Sequence, residues 1–300
     1  MFAVQPTAEN LELIARQAVE GFIIGLHKSP FHGFSVEFAE HRQYNPGDAL
    51  RHIDWRVYGR SDKLFIKKYE EETNLRCCVL LDTSSSMQFP REKDRLSKLQ
   101  YGAVTAASLL LLLKRQLDAG SLALFDDTLY FRSECRSAGS HYRNLVSKLS
   151  EVFDLETSNK GSHIATAIHD IAEQLHRRSL VVVISDMIDD APGLDALFSS
   201  LQHLRYNKHE VILVQVLDKK QELDFEFENR PYAFVDLETG EQLRLQPAGI
   251  RDQYREQMEQ FRKTIENQCY QYNISRLEID LSEPVDRALH SFLLKRNKML

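Results

Sequence analysis

Cysteine is scarce in this chain of 300 residues: there are four, at positions 77, 78, 135 and 269, with no CxxC pair and no even spacing. Neither a disulfide framework nor a cysteine-built zinc site is expected. Basic charge is not in surplus. Thirty-eight Lys and Arg stand against 44 Asp and Glu, a net charge of −6, whereas a dedicated nucleic-acid binder carries a basic excess. Long apolar runs are missing as well. The longest near-continuous one, Val104 to Leu113, is about half of the roughly 20 residues that a membrane-spanning helix needs. The opening residues show no basic stretch followed by an apolar one and a small-residue cleavage site, so no secretory signal is expected. The phosphate loops GxxxxGK[ST] and GxGxxG, the nucleophile elbow GxSxG and the zinc helix HExxH are all absent. These absences together predict a reduced, cytoplasmic chain with no membrane span and no nucleic-acid partner.

What is present is a globular composition, 43% apolar and 27% charged, with length for one large domain or two smaller ones. A helical pattern runs from Asn10 to Leu26, followed by a Gly/Pro/His-punctuated stretch from Ser29 to Gly33 and an irregular segment with the turn Asn45-Pro46-Gly47-Asp48. Leu64 to Tyr69 alternates as an edge strand would. From residue 75 the character changes. The apolar runs Cys77–Leu81, Leu180–Ile184 and Val211–Leu217 have strand length, and amphipathic helical patterns lie between them: Arg95–Leu117, His141–Phe153, Ile164–His176 and Leu194–Leu204. Apolar strands alternating with helices predict an α/β fold, a doubly wound and mainly parallel sheet flanked by helices. The tail predicts short strands at Leu223–Phe227 and Ala233–Leu237, a turn at Glu238-Thr239-Gly240, a return strand at Gln242–Leu245, a helix from Ile250, a strand at Ser275–Ile279 and a last helix from Val285 to Arg296. The expected division is residues 1–74 as an N-terminal α+β extension packed on the core and 75–300 as the main domain, with a β-hairpin insertion at about 219–247.

In open parallel sheets ligands bind beyond the carboxyl ends of the strands. Two buried strands end in aspartate there, at Leu81-Asp82 and Ser185-Asp186. The first continues Asp82-Thr83-Ser84-Ser85-Ser86, so that alternate residues aim one carboxylate and two hydroxyls, Asp82, Ser84 and Ser86, into one small volume. Asp186 can face the same point, and the loop Lys160-Gly161-Ser162-His163 can add the Ser162 hydroxyl. Hydroxyl and carboxylate oxygens at that density suit a hard divalent cation, magnesium first, with manganese or calcium as substitutes. A plainer reading is open beside it: Asp and Ser before a helix are ordinary caps, and the chain is then a metal-free scaffold. A third reading, a metal-dependent hydrolase or phosphoryl-transfer enzyme, needs a general base, for which His163 is the candidate.

The loop Asp82-Thr83-Ser84-Ser85-Ser86 resembles the metal-ion-dependent adhesion site of von Willebrand factor type A domains. The resemblance implies magnesium held by Asp82, Ser84 and Ser86, with Ser162 in place of that family's threonine and Asp186 as the third loop's aspartate. It also implies a protein-binding module, not an enzyme, whose cation attracts an acidic side chain of a partner. A second resemblance covers roughly residues 15–295. Glu40-His41-Arg42-Gln43-Tyr44-Asn45-Pro46-Gly47-Asp48-Ala49-Leu50-Arg51-His52-Ile53-Asp54-Trp55, then Phe65-Ile66-Lys67-Lys68-Tyr69-Glu70-Glu71-Glu72, then Leu80 to Met87 are similar to the bacterial family called domain of unknown function 58. Many of its members carry two N-terminal membrane spans, and this chain resembles the shorter type. That resemblance implies a MoxR-type AAA+ ATPase as partner and a role in assembly or maturation of protein complexes. In the 40–60 segment, Arg42, Arg51, Trp55 and Arg56 read either as anchors of a docking surface or as parts of an arginine–carboxylate network that pins an irregular segment.

Overall fold

The computed structural model of the protein describes residues 7–25, 38–43, 58–60, 65–69, 75–92, 94–155, 161–176, 178–188 and 191–285. The chain divides into two compact units, Phe31–Leu75 on one side and Met1–Pro30 with Arg76–Leu300 on the other. The stretch expected to form one N-terminal extension is thus split, and its helix belongs to the larger unit.

In the smaller unit, β1 (Phe38–Gln43) pairs antiparallel with β2 (Phe65–Tyr69), Arg42 lying opposite Ile66, with an irregularity between Phe38 and Glu40. β2 was expected. β1 was not, because Glu40-His41-Arg42-Gln43 offers no apolar alternation to read.

The larger unit is built on six strands: β3 (Arg76–Asp82), β4 (Ala119–Phe125), β5 (Leu129–Arg132), β6 (Leu180–Ser185), β7 (Glu210–Leu217) and β10 (Ser275–Asp280). Their spatial order is β10-β7-β6-β3-β4-β5, all parallel except β5, which runs antiparallel at one edge. The continuous apolar runs of β3, β6 and β7 follow from burial on both faces. The chain starts in the middle of the sheet, builds outward through β4 and β5, then returns to lay β6 on the other side of β3. The carboxyl ends of β3 and β6 therefore diverge into loops at the switch point, where open α/β sheets bind ligands.

One face carries α2 (Lys98–Arg115), opened by Ser97, whose hydroxyl caps Gln100 N at 3.2 Å while the Gln100 side chain returns to Ser97 N at 3.1 Å. On its outer side α1 (Leu11–Gly25) and α3 (Gly139–Phe153) cover it. A helix with neighbours on both sides is apolar all round, and this explains the run Leu109–Leu113, every residue of which is buried. Gly102 lets α2 approach the sheet, since a Cβ there would lie 2.9 Å from Leu81 Cδ1 and 3.3 Å from Ile184 Cγ2. The opposite face packs α4 (Ile164–Ala172), α5 (Ala191–Tyr206) and α6 (Arg251–Gln271) against Cys78, Leu80, Val181 and Val183.

The expected strand at Leu223–Phe227 is not formed. Lys219–Leu223 is a π-helical turn capped by Asp218, and Phe225 lies in the left-handed region at φ 50°. The Phe225 and Phe227 carbonyls accept from the Arg251 guanidinium instead of a neighbouring strand. β8 (Tyr232–Val235) and β9 (Gln242–Leu245) form the expected hairpin. Ser29–Gly33 and, beyond Val285, the expected last helix lie outside the described residues.

Candidate functional site

Asp82 ends β3 at the switch point, completely buried, and is the hub of a cluster of oxygens. Its Oδ1 accepts from the Ser84 backbone N–H at 2.9 Å. Its Oδ2 accepts from the Ser162 and Ser185 hydroxyls, each at 2.8 Å. The Ser84 and Ser86 hydroxyls stand 3.1 Å apart. Thr83, the intervening residue, turns the other way and donates to the Phe125 carbonyl at 2.8 Å. Asp82 and Ser84 come together across the end of the strand, and the 3-10 turn Ser85–Gln88 sets Ser86 beside Ser84. Ser162 arrives on the loop before α4, where Gly161 permits close packing: a Cβ would lie 3.1 Å from Asp127 Oδ1 and 3.5 Å from Glu238 Oε2.

Asp186 follows β6, also buried. Its Oδ1 accepts from Ile188 N at 3.3 Å and its Oδ2 from Lys98 Nζ at 2.7 Å. It is linked to Asp82 by charge and not by a hydrogen bond. Lys98, at the first turn of α2, is 1% exposed and also pairs with Glu222 of the π-helical turn at 2.5 Å. Burial alone would lower its pKa, but the Asp186 and Glu222 carboxylates outweigh burial and hold it above the ordinary lysine value, fully charged. Gln215, on β7, fixes the Asp186 carbonyl at 2.9 Å and is itself held by Arg276 at 2.7 Å.

The electrostatics are unbalanced toward negative. The charge of Asp186 acts on Asp82, Glu222 and Glu238, and that of Asp82 acts on Glu238. Against these four carboxyl groups stands, among the described residues, the Lys98 ammonium, paired with Asp186 and Glu222. Burial, and next the charge of Asp186, push Asp82 from 3.8 up to about 6. Burial pushes Glu238 up to about 7, partly opposed by a hydrogen bond with Ser86 and reinforced by Asp186 and Asp82.

The donor set fits a hard dication in its chemistry: every side chain of the cluster offers oxygen, and a double positive charge would relieve the mutual repulsion of the carboxylates. Among the described residues, no group of three or more His, Cys, Asp and Glu side chains is arranged to hold a metal ion. The set that fits is two carboxylates joined by hydroxyls.

All five residues expected from the sequence thus meet at the switch point, Asp186 with a lysine on its carboxylate. His163 is exposed at the start of α4, its backbone N–H held by the Asp126 carbonyl at 3.1 Å. Arg51, Trp55 and Arg56 lie outside the described residues, and Arg42 is described by its strand alone. Sequence reasoning missed Lys98, Ser185, Glu222 and Glu238. Lys98 left one trace, a lone cation at the head of an otherwise apolar helix. Ser185 stood beside Asp186 at the same strand end. Glu222 left no local signal.

The family model described as "Protein of unknown function DUF58" matches residues 40–264. Among curated proteins, the chain is similar to the uncharacterized protein Rv1480 of Mycobacterium tuberculosis and to the uncharacterized protein Mb1516 of Mycobacterium bovis. Each is 23% identical over 211 residues, 70% of this chain, and the chain spans 64% of the length of these relatives. Among solved structures it is similar to the conserved hypothetical protein BatB of Bacteroides thetaiotaomicron, at a TM-score of 0.48 and 14% identity over 75% of this chain and 100% of that one. It is likewise similar to an aerotolerance-related membrane protein of Bacteroides fragilis, at 0.48 and 13% with the same coverage. No helix among the described residues is long and apolar enough to cross a membrane.

Proposed function

The chain belongs to the DUF58 family of proteins of unknown function, and from that premise we propose that it is a non-enzymatic protein-docking module of the von Willebrand factor type A kind, working through a divalent cation at the switch point. The observation that carries this reading is the meeting at Asp82 of its own loop's Ser84 and Ser86, the Ser162 hydroxyl of a second loop and, by charge, Asp186 of a third. These five residues would hold magnesium, with manganese or calcium as substitutes. When bound, the ion supplies Lewis-acid attraction for one further oxygen ligand.

The open coordination position supports docking of an acidic side chain: Lys98 already offsets part of the charge of Asp186 and Glu222, and a dication facing Asp82 would attract one further carboxylate oxygen. The occupant we propose is a carboxylate on a partner protein, with a MoxR-type AAA+ ATPase or an acidic client as the partner, in the cytoplasm, during assembly or maturation of a protein complex. The partner rests on the family resemblance. A binding module is favoured over a hydrolase because His163, the base considered for hydrolysis, presents an exposed side chain at the start of α4.

One observation favours a second reading, the metal-free scaffold: the Lys98 ammonium already sits on Asp186. Calorimetric titration of magnesium into chelator-treated wild type and Asp82→Ala separates the two. Saturable binding by wild type, lost in the variant, supports the docking module; heat indistinguishable from dilution in both leaves the scaffold.

A further inference from the structure

We propose that the outer edge of β5 is a docking surface for a second copy of this chain, the two edges pairing antiparallel about a two-fold axis at Ser133. The contact needs no cation and stands apart from the switch-point site.

β5 closes one side of the six-stranded sheet, and among the described residues no strand lies beyond it. Past Arg132 the chain stays beside β4 as far as Arg136, whose N–H and carbonyl both bond Gly120 at 3.1 Å. The backbone of Ser133 also faces β4: its N–H donates to the Leu122 carbonyl at 2.9 Å, and its hydroxyl accepts from Leu122 N at 2.9 Å. Successive residues of an antiparallel strand turn their N–H and carbonyl groups to opposite edges, so Arg132 and Glu134 present theirs outward. The side chains alternate in the same way. Tyr130, Arg132, Glu134 and Arg136 are exposed, while Phe131, Ser133 and Cys135 between them are half-buried. A hollow of about 400 Å³, lined by Phe131, Ser133, His141 and Lys148 among others, opens beside the edge on its α3 side.

A strand edge of this kind is a template for another strand, and its charges select which. Charges of one sign would repel a second copy. Here Arg132 and Glu134 are opposite in sign and two residues apart. With the axis at Ser133, Arg132 of each copy lies opposite Glu134 of the other, and each such pair exchanges both backbone hydrogen bonds and joins opposite charges. Tyr130 falls level with Arg136 of the second copy, a guanidinium against an aromatic ring. Moving the axis by one residue either way sets Arg132 on Arg132 or Glu134 on Glu134, and like charges directly opposite are destabilising. The contacts given up are at the exposed surface: Arg132 with Gln174, and Glu134 with Arg136 Nε at 2.7 Å. Such surface pairs are worth little. The resulting interface is self-complementary and closes at two copies.

The test is sedimentation velocity of the full chain across a wide range of concentration. Wild type is expected to pass from monomer to dimer as concentration rises. Glu134→Arg sets arginine on arginine and should stay monomeric, whereas Arg132→Glu combined with Glu134→Arg restores opposite charges and should dimerise again, a recovery that misfolding of the single variant could not produce. Ser133→Cys places two thiols across the axis at the separation, about 4.5 Å between Cα atoms, of a non-hydrogen-bonded pair. Oxidised glutathione should then give a covalent dimer linked at the two substituted positions. A wild type that remains monomeric at every concentration, or a dimer that Glu134→Arg leaves unchanged, overturns the proposal.

Discussion

Replacing Asp82 by Asn distinguishes a repelled, buried carboxylate from one that only caps a loop. The group is fully buried and accepts from Ser84 N and from the Ser162 and Ser185 hydroxyls. Burial and Asp186 raise its pKa from 3.8 to about 6. The folded chain therefore holds this proton more tightly than the unfolded chain does. Ionised Asp82 opposes folding: the cost is absent below about pH 4, grows as pH rises, and is complete above about pH 6. At about 1.4 kcal/mol for each tenfold in proton affinity, the whole cost in metal-free protein is about 3 kcal/mol, roughly half of it already present at pH 5. Asparagine removes that cost. It keeps one oxygen for the two serine hydroxyls but sets an amide donor against the Ser84 N–H, a loss of about 1–3 kcal/mol at any pH. In urea unfolding with chelator present, the variant's stability relative to wild type should improve by about 1–2 kcal/mol between pH 5 and pH 7.5. Excess magnesium at pH 7.5 should then stabilise wild type and leave the variant unmoved, as binding to the folded state alone requires. The same stability difference at both pH values, with no response to magnesium in either protein, would refute the reasoning.

Three further outcomes are expected. Lys98→Met leaves buried Asp186 and half-buried Glu222 without their counter-charge and should cost about 3–5 kcal/mol in urea unfolding; a loss below about 1 kcal/mol would show that the ammonium does not compensate them. Magnesium affinity should rise with pH through about 6, because the ion must displace the proton that Asp82 retains there, and calorimetry at pH 6 in buffers of different ionisation enthalpy should register proton release. Gly102→Val drives a branched side chain into Leu81 and Ile184 and should lower stability by about 1–3 kcal/mol; an unchanged midpoint of thermal unfolding would mean that α2 is free to shift off the strands that carry the site.

The sheet was legible because burial on both faces writes itself into sequence as uninterrupted apolar runs, and β3, β6 and β7 each carry one. Asp82 was legible for the same reason, as a charge where such a run stops. Asp82 and Ser84 were readable together because they lie two residues apart where the strand runs out, while Ser86 is brought beside Ser84 by the 3-10 turn Ser85–Gln88. Lys98 escaped because its partners are 88 and 124 residues away, and its helix otherwise reads as core. The false strand at Leu223–Phe227 has a different origin. Phe225 and Phe227 look β-forming, but their rings pack on each other at 5.0 Å and on Phe234, an aromatic cluster around a left-handed residue that no local pattern announces. The hairpin itself was visible from its turn.

The most direct measurement of a cation at the switch point is a crystal structure of the wild-type chain grown with excess manganese, with data collected to record its anomalous scattering. An anomalous peak is expected about 2.1 Å from oxygens of Asp82, Ser84 and Ser86. A well-ordered site with no peak there, Asp82 still holding the Ser162 and Ser185 hydroxyls and Lys98 the sole positive charge, would contradict the cation reading and leave a scaffold whose only resident cation is the lysine.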